Sequence, residues 1–438
     1  MLLKFSAENF KTFKDKFVFS MEAVPKQKGL DDSVFKKRIA SKCYKGLCTA
    51  VIYGPNAAGK TNLMQALSVF KAIILRGNIK SGPQMTTDWS DIRLELLPNR
   101  TLEKAKPVSF GIKFIVEGLV IEYSLSLDLG LFCGDDNYER KVLSEVFKVN
   151  EKEIFVRTDS LEIKNLRTIE SLLNDETWDG AKLAILTFLA NRGLESTDLF
   201  LVNGFKVIFS KKLVRKIEDW FLDQLIVIPR PDLFEFKGIE AKAYGVNVID
   251  VFTMLAQKMG TDDQRLGYVF KGPKKEVLTS AVKIGNKEQE YFVSSELYES
   301  HGTLRMMNLF PIFLSALQNG STVVLDESDS CIHPMVMMNI IKIFHNDEIN
   351  INHAQLIFNT HNPIFLNANL LRRDEIKFVE RDKETHFSHH YSLADFKTSG
   401  ANGVRKGEDY LKNYYAGSYG AIDEVDLSDL FGKVISKK

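Results

Sequence analysis

The sequence predicts an α/β fold, a mixed sheet flanked by helices, with an antiparallel β lobe and an inserted helical segment. Three observations predict it. The apolar run Thr49-Ala50-Val51-Ile52-Tyr53 passes through a glycine-rich turn into the helix-like Asn62-Leu63-Met64-Gln65-Ala66-Leu67. Residues 108–157 alternate apolar and polar in hairpin-length runs, the pattern of an antiparallel meander. Between residues 159 and 224 the apolar period shifts toward that of a helix.

The turn in the first observation is Gly54-Pro55-Asn56-Ala57-Ala58-Gly59-Lys60-Thr61, which fits the phosphate-loop pattern G-x-x-x-x-G-K-[ST] between a strand and a helix. Its glycines let successive N–H groups turn inward around phosphates, and the helix N-terminus adds its positive dipole end. Lys60 is expected to reach the β- and γ-phosphates, and the Thr61 hydroxyl to ligate Mg²⁺. Asn62 follows as the next residue of the site.

Bulk properties narrow the class. A chain of 438 residues, 45% hydrophobic and 26% charged, reads as a globular protein of two or three lobes. A net charge of +1 argues against a surface that is basic throughout, while leaving room for a local basic patch. Cys43, Cys48, Cys133 and Cys331 have neither C-x-x-C nor zinc spacing and read as free thiols in a reducing compartment. The start meets a charge at Lys4, too early for a secretory segment, and no run approaches the ~18 apolar residues of a membrane span. A cytoplasmic protein without a membrane partner is expected.

In chain order, residues 2–20 alternate around Asn9-Phe10-Lys11-Thr12-Phe13 and read as two strands joined by a turn. Residues 24–45 are polar and lysine-rich and read as an exposed loop, either a solvated surface or a nucleic-acid contact. The helix after the glycine-rich turn ends near Gly77. In the meander, Glu117-Gly118 is a hairpin turn. The helical stretch carries Leu172, Leu183, Leu186, Leu213, Ile217 and Trp220 without sustained heptads, which disfavours a long coiled-coil arm. Leu225-Ile226-Val227-Ile228 reads as a buried strand returning to the main sheet, residues 248–259 as an amphipathic helix, and residues 276–294 as a hairpin around Gly285-Asn286. The expected division is 1–158 for the first half of the nucleotide fold with its β lobe, 159–224 for the helical insertion, and 225–438 for the second half.

That second half supplies the chemistry opposite the phosphate loop. Ser321-Thr322-Val323-Val324-Leu325-Asp326-Glu327 is an apolar strand ending in two carboxylates. Asp326 can hold Mg²⁺ and Glu327 can polarise the attacking water. Upstream, Ser300-His301-Gly302-Thr303 opens an apolar helix and reads either as an anion site at a helix N-terminus or as a plain Ser300 cap. Downstream, Gln355-Leu356-Ile357-Phe358-Asn359-Thr360-His361-Asn362-Pro363 ends a strand in a histidine, which either meets the γ-phosphate and water or caps a turn.

Taken in order, these motifs resemble the ABC/SMC-like ATPase family in its signature motif, Walker B and switch histidine. The chain is most similar to the AAA-family ATP-binding proteins of bacterial abortive-infection and anti-phage systems, such as PARIS-type and AbiL-type modules and the ATPase part of OLD-family proteins. Asn9-Phe10-Lys11-Thr12-Phe13, Ile332-His333-Pro334 and Tyr414-Tyr415-Ala416-Gly417-Ser418-Tyr419-Gly420-Ala421 add to the likeness, whereas residues 110–290 match only in layout. The resemblance implies a head-to-tail homodimer, or a higher assembly of dimers, that sandwiches two ATP molecules with Mg²⁺. One copy would supply residues 54–62, Asp326, Glu327 and His361, with Asn56 near the γ-phosphate, and the other would supply Ser300 and Gly302. It further implies a switch that senses a phage-derived trigger and controls a separate nuclease or toxin.

Two departures matter. Ser328-Asp329-Ser330-Cys331 stands where transporters carry Leu-Asp, which disfavours a transporter, and only Gln84, by position, is a candidate for the Q-loop ligand. The stretch after His361 is too short for a built-in TOPRIM nuclease of about a hundred residues, so Glu380 and Asp382 read as turn carboxylates. The alternative reading is a RecF/SMC-like repair ATPase, with DNA as its partner.

Overall fold

The opening alternation forms β1 (Leu2–Glu8) and β2 (Phe17–Ser20), which pair antiparallel. The computed structural model describes the chain apart from residues 26, 28, 81–92, 135–137, 176–179, 230–245, 249, 259, 261–264, 271–275, 284–289, 328, 330, 398–403, 406, 424–425 and 436–438. The lysine-rich stretch expected as an exposed loop is instead largely a ribbon of β3 (Val34–Ile39) and β4 (Lys42–Leu47). Its residues alternate: Phe35, Ile39 and Tyr44 pack against Met1, Leu3, Ile115 and Val120, while Lys36, Arg38 and Lys45 stay outside. The charges of Lys36, Lys37, Arg38, Lys42 and Lys45 had concealed a period of two.

Next, β5 (Thr49–Tyr53) is buried at every position and leads through the glycine-rich turn into α1 (Lys60–Arg76), which ends at a left-handed Gly77. Then β6 (Val108–Val116), β7 (Leu119–Asp128), β8 (Lys141–Val149), β9 (Lys152–Arg157) and β10 (Leu161–Ile163) follow as the expected meander. Glu117 and Gly118, both at positive φ, make the two-residue turn between β6 and β7. With β1 and β2 these strands form a seven-stranded antiparallel sheet in the order β10-β9-β8-β7-β6-β1-β2.

The helical stretch contains α2 (Gly180–Gly193), α3 (Lys206–Ile208) and α4 (Lys211–Asp219), with wide π-type turns at Leu201–Phe205 and Trp220–Gln224. Aromatic rings hold it to the antiparallel sheet: Trp220 stacks on Phe114 at 3.9 Å, and Phe200 meets Phe155 edge-on at 4.8 Å. Beside them the buried Glu145 accepts hydrogen bonds from the Tyr123 hydroxyl and the N–H groups of Phe200 and Leu201, each 2.7 Å. Burial pushes its pKa up against those bonds.

The chain then returns as β11 (Leu225–Ile228). A four-stranded antiparallel sheet follows, β12 (Val246–Val248), β13 (Arg265–Phe270), β14 (Glu276–Lys283) and β15 (Glu290–Ser294), with α5 (Asp250–Lys258) after β12. The hairpin expected over 276–294 is β14–β15, and its turn at Gly285-Asn286 lies outside the described residues. After α6 (Ser295–Tyr298) and α7 (His301–Asn319) come β16 (Thr322–Leu325), α8 (Pro334–His345), β17 (Gln355–Asn359), β18 (Ile376–Arg381) and β19 (Ser388–Ser392). The last helices are α9 (Tyr410–Tyr415) and α10 (Ser428–Ile435).

The central sheet has the order β11-β16-β17-β5-β18-β19, with β19 antiparallel and the other five strands parallel. Their C-terminal ends therefore share one edge. Ala50, Ile52, Val324 and Ile357 face α1 and the seven-stranded sheet, whereas Val51, Tyr53, Val323, Leu325 and Phe358 pack against α7 and α8 through Leu309, Phe313, Ile341 and Phe344. Cover on both faces explains why these strands are continuously apolar. Among the described residues no helix is long and apolar enough to cross a membrane, and all four cysteines are free thiols.

One buried side chain ties the sheets together. Gln355 Oε1 accepts from the Leu2 N–H at 2.6 Å and the Thr322 hydroxyl at 3.0 Å, and its Nε2 donates to the carbonyls of Leu2 and Leu47 at 3.0 and 2.9 Å. Gln355→Ala would leave these groups unpaired in the interior and is expected to cost about 2–4 kcal/mol. Chemical denaturation would show it as a lower midpoint; an unchanged midpoint would mean that the β1 seam closes without this amide.

Candidate functional site

The glycine-rich turn sits at the C-terminal edge of the central sheet, where parallel α/β sheets present their ligand crevices. Gly59 begins α1 at φ 112°, and a Cβ there would lie 2.6 Å from Ser388 Oγ and 3.0 Å from Thr12 Oγ1. Only glycine fits both the angle and the gap. The neighbours that crowd it also brace it: Ser388 Oγ donates to the Ala58 carbonyl at 2.6 Å, Ser388 N–H donates to the Thr12 carbonyl at 2.9 Å, and Asn62 Nδ2 donates to Thr12 Oγ1 at 2.9 Å. The turn after β1 is fixed in turn by Asn99, whose N–H donates to Asn9 Oδ1 at 3.0 Å and whose Nδ2 donates to the Lys11 carbonyl at 2.6 Å.

Lys60 is buried, and its Nζ donates to the carbonyls of Gly54 and Pro55 at 2.7 and 3.0 Å. Burial pulls its pKa down to about 8, with Glu327 and Asp326 pulling the other way. Next to Lys60, the Thr61 hydroxyl donates to Asp326 Oδ1 at 3.2 Å. Asp326 follows β16, two strands over from β5, and desolvation raises its pKa despite hydrogen bonds from Asn359 and Thr61.

Because β17 lies between β5 and β16, its last residue reaches the acidic pair. The Asn359 amide donates to Asp326 Oδ1, and its oxygen accepts the Glu327 N–H. Glu327 takes a left-handed conformation, φ 50°, and its Oε1 lies 3.8 Å from His361 Nε2, with both side chains partly exposed. Burial, then Lys60, lowers the His361 pKa. Asp329 Oδ2 accepts from the Thr360 hydroxyl at 2.6 Å. One sheet edge thus gathers Lys60, Thr61, Asp326, Glu327 and His361, together with Gly54, Pro55, Asn56, Ala57 and Ala58 of the turn.

Ser300 and Gly302 belong to a different element, the start of α7. Ser300 is the N-cap of α7, its Oγ accepting the Thr303 N–H at 3.1 Å. Gly302 has a packing reason within its own chain, since a Cβ there would lie 2.4 Å from the Cys331 carbonyl. Asp382 accepts three bonds within its own turn, from Thr385 N–H and Oγ1 and from Glu384 N–H, which fits a turn carboxylate, whereas Glu380 is not in a turn but within β18, opposite His389, and accepts the Tyr391 hydroxyl at 3.1 Å. Gln84 lies outside the described residues.

Asn359, Ser388, Thr12 and Asp329 were not singled out from the sequence. Asn359 carried a usable signal, a polar residue closing an apolar strand, whereas Ser388 carried none. Among the described residues no group of three or more His, Cys, Asp or Glu side chains forms a metal cage. Thr61 and Asp326 are the residues that fit Mg²⁺, a cation that commonly takes one or two protein ligands and fills its shell with water and substrate phosphates.

The chain is similar to the SMC head domain from Thermotoga maritima, with 15% identity and a TM-score of 0.37 over 89% of this chain and 98% of that one. None of the curated proteins matches it. The family model described as "AAA domain, putative AbiEii toxin, Type IV TA system" matches residues 50–367. That match spans most of the chain and takes in the glycine-rich turn, the Asp326-Glu327 strand and the His361 strand, and by it the chain belongs to this AAA-domain family.

Proposed function

We propose that the chain is a Mg²⁺-dependent ATPase of the ABC/SMC-like type that works as a nucleotide-controlled switch. The observation that supports this most is the meeting of Lys60 and Thr61 with Asp326, Glu327 and His361 at the edge of one parallel sheet. Lys60 exchanges the Gly54 and Pro55 carbonyls for phosphate oxygens, and the N–H groups of residues 56–61 turn toward the phosphates. Thr61 and Asp326 would hold Mg²⁺, which would offset the charge developing on the transferred phosphoryl group. Glu327 orients the attacking water and accepts its proton, and His361 steadies that water from the other side.

Ser300 and Gly302 complete the site from a second copy, at the N-terminus of its α7. Differential contact of this helix N-terminus with the γ-phosphate makes the closed dimer depend on intact ATP. The family description, with its toxin and Type IV TA terms, supports a role in abortive infection. In this reading the ATP-bound dimer, or an assembly of dimers, restrains a separate toxin or nuclease until a phage-derived trigger releases it.

A second reading, a DNA clamp of the RecF/SMC type, is favoured by the β3–β4 ribbon. Lys36 stands directly opposite Lys45 in the register, and Arg38 is exposed nearby. Facing like charges destabilise a ribbon unless a polyanion lies over them. On this reading, reversing all three charges lowers the salt slope of duplex binding by about 2.7 logarithmic units per decade, as three phosphate contacts require; an unchanged slope removes the ribbon from any DNA contact.

Two outcomes test the ATPase reading. Glu327→Gln is expected to slow hydrolysis by at least ~10²-fold while ATP stays bound and a dimer accumulates; hydrolysis at the parental rate would show that Glu327 is not the base. Lys60 must be protonated to attract phosphate, and its pKa in the free site is about 8. Affinity for a fluorescent ATP analogue should therefore hold near pH 7 and fall as pH rises through 8, by roughly tenfold per unit well above it. Equal affinity at about pH 7 and about pH 9.5 would mean that Lys60 charge does not hold the phosphates.

A further inference from the structure

Two helices carry apolar faces that their own chain leaves uncovered. On α2, Ile185, Phe188 and Leu189 are each more than half exposed, and their spacing sets them on one side of the helix. At α10, Leu427, Phe431, Val434 and Ile435 are each at least half exposed and follow one another at helical spacing. Single exposed apolar residues are ordinary, but stripes of this kind mark contact surfaces. The eight residues of α10 fall well short of the ~12–15 that an isolated helix needs in water.

We propose that α10 of one copy packs antiparallel on α2 of a second copy. Arg192 lies over the Phe188 ring, 5.3 Å from its centroid, and sets an exposed cation at the C-terminal end of the α2 stripe. Asp426 accepts the Ser428 N–H at 2.8 Å and sets an anion at the N-terminal end of the α10 stripe. Antiparallel packing brings these two ends together and opposes the helix dipoles favourably. It also lets Phe431 stack on Phe188. The occupant is a second copy because the chain itself carries both complementary halves. Each copy then offers one α10 and one α2, a heterologous contact that builds a ring or a longer array. The contact uses neither the phosphate loop nor Ser300, so it forms without nucleotide and is independent of the ATP-held dimer.

The test uses the full chain with the exposed Cys43, Cys133 and Cys331 changed to Ser, leaving the buried Cys48. One protein carries Phe188→Cys and another Phe431→Cys. Mixed without nucleotide under mild oxidation, they should form a disulfide-linked pair that neither forms alone. In parallel, Arg192→Glu should weaken association, read as native mass against concentration, and Asp426→Arg in the same chain should restore it. No cross-link in the mixture, a 188–188 or 431–431 cross-link instead, or no rescue by the charge reversal would overturn the proposal.

Discussion

The buried Asn359 amide is the interaction on which the site depends. It donates to the Asp326 carboxylate and accepts the Glu327 N–H, so one side chain sets both acidic residues. A left-handed residue other than glycine costs roughly 1–2 kcal/mol, and the bond from Asn359 helps to hold Glu327 there. This works only because β17 runs between β5 and β16, which puts its C-terminal residue beside both the acidic pair and the Lys60 turn. The same strand begins with Gln355, whose amide ties β1 and β4 to the sheet. A single buried strand therefore fixes the seven-stranded sheet at one end and the site at the other.

Burial disfavours the charged forms of both Lys60 and Asp326, and Lys60 turns back onto the carbonyls of its own loop. A polyphosphate with a divalent cation would supply the opposite charge to each. Bracing by Ser388 and Thr12 holds the loop in shape meanwhile, so little backbone rearrangement opposes binding.

The local motifs were legible in the sequence because each is a short stretch whose chemistry and periodicity agree. A largely apolar β5 running into Gly54–Lys60 chemistry, an apolar strand closing in Asp326-Glu327 and another reaching His361 all announce themselves. What escaped were residues whose role depends on strand order. Asn359 matters because β17 falls between two other strands, and Ser388 because β19 folds back on the loop more than 300 positions away in sequence, as its bond to Ala58 shows. The β3–β4 ribbon was hidden for another reason: its outward positions are so rich in lysine that the inward Phe35, Ile39 and Tyr44 were outweighed.

If two copies share each site, as proposed above, copies damaged on opposite sides of it should complement one another. Lys60→Ala removes the phosphate side and Ser300→Arg removes the partner side, so each protein alone should be inactive as an ATPase. In an equal mixture half of the dimers pair the two variants, and each such dimer rebuilds one intact site of two. Recovery of about a quarter of the parental activity is therefore expected. A mixture as inactive as its components would contradict the shared site.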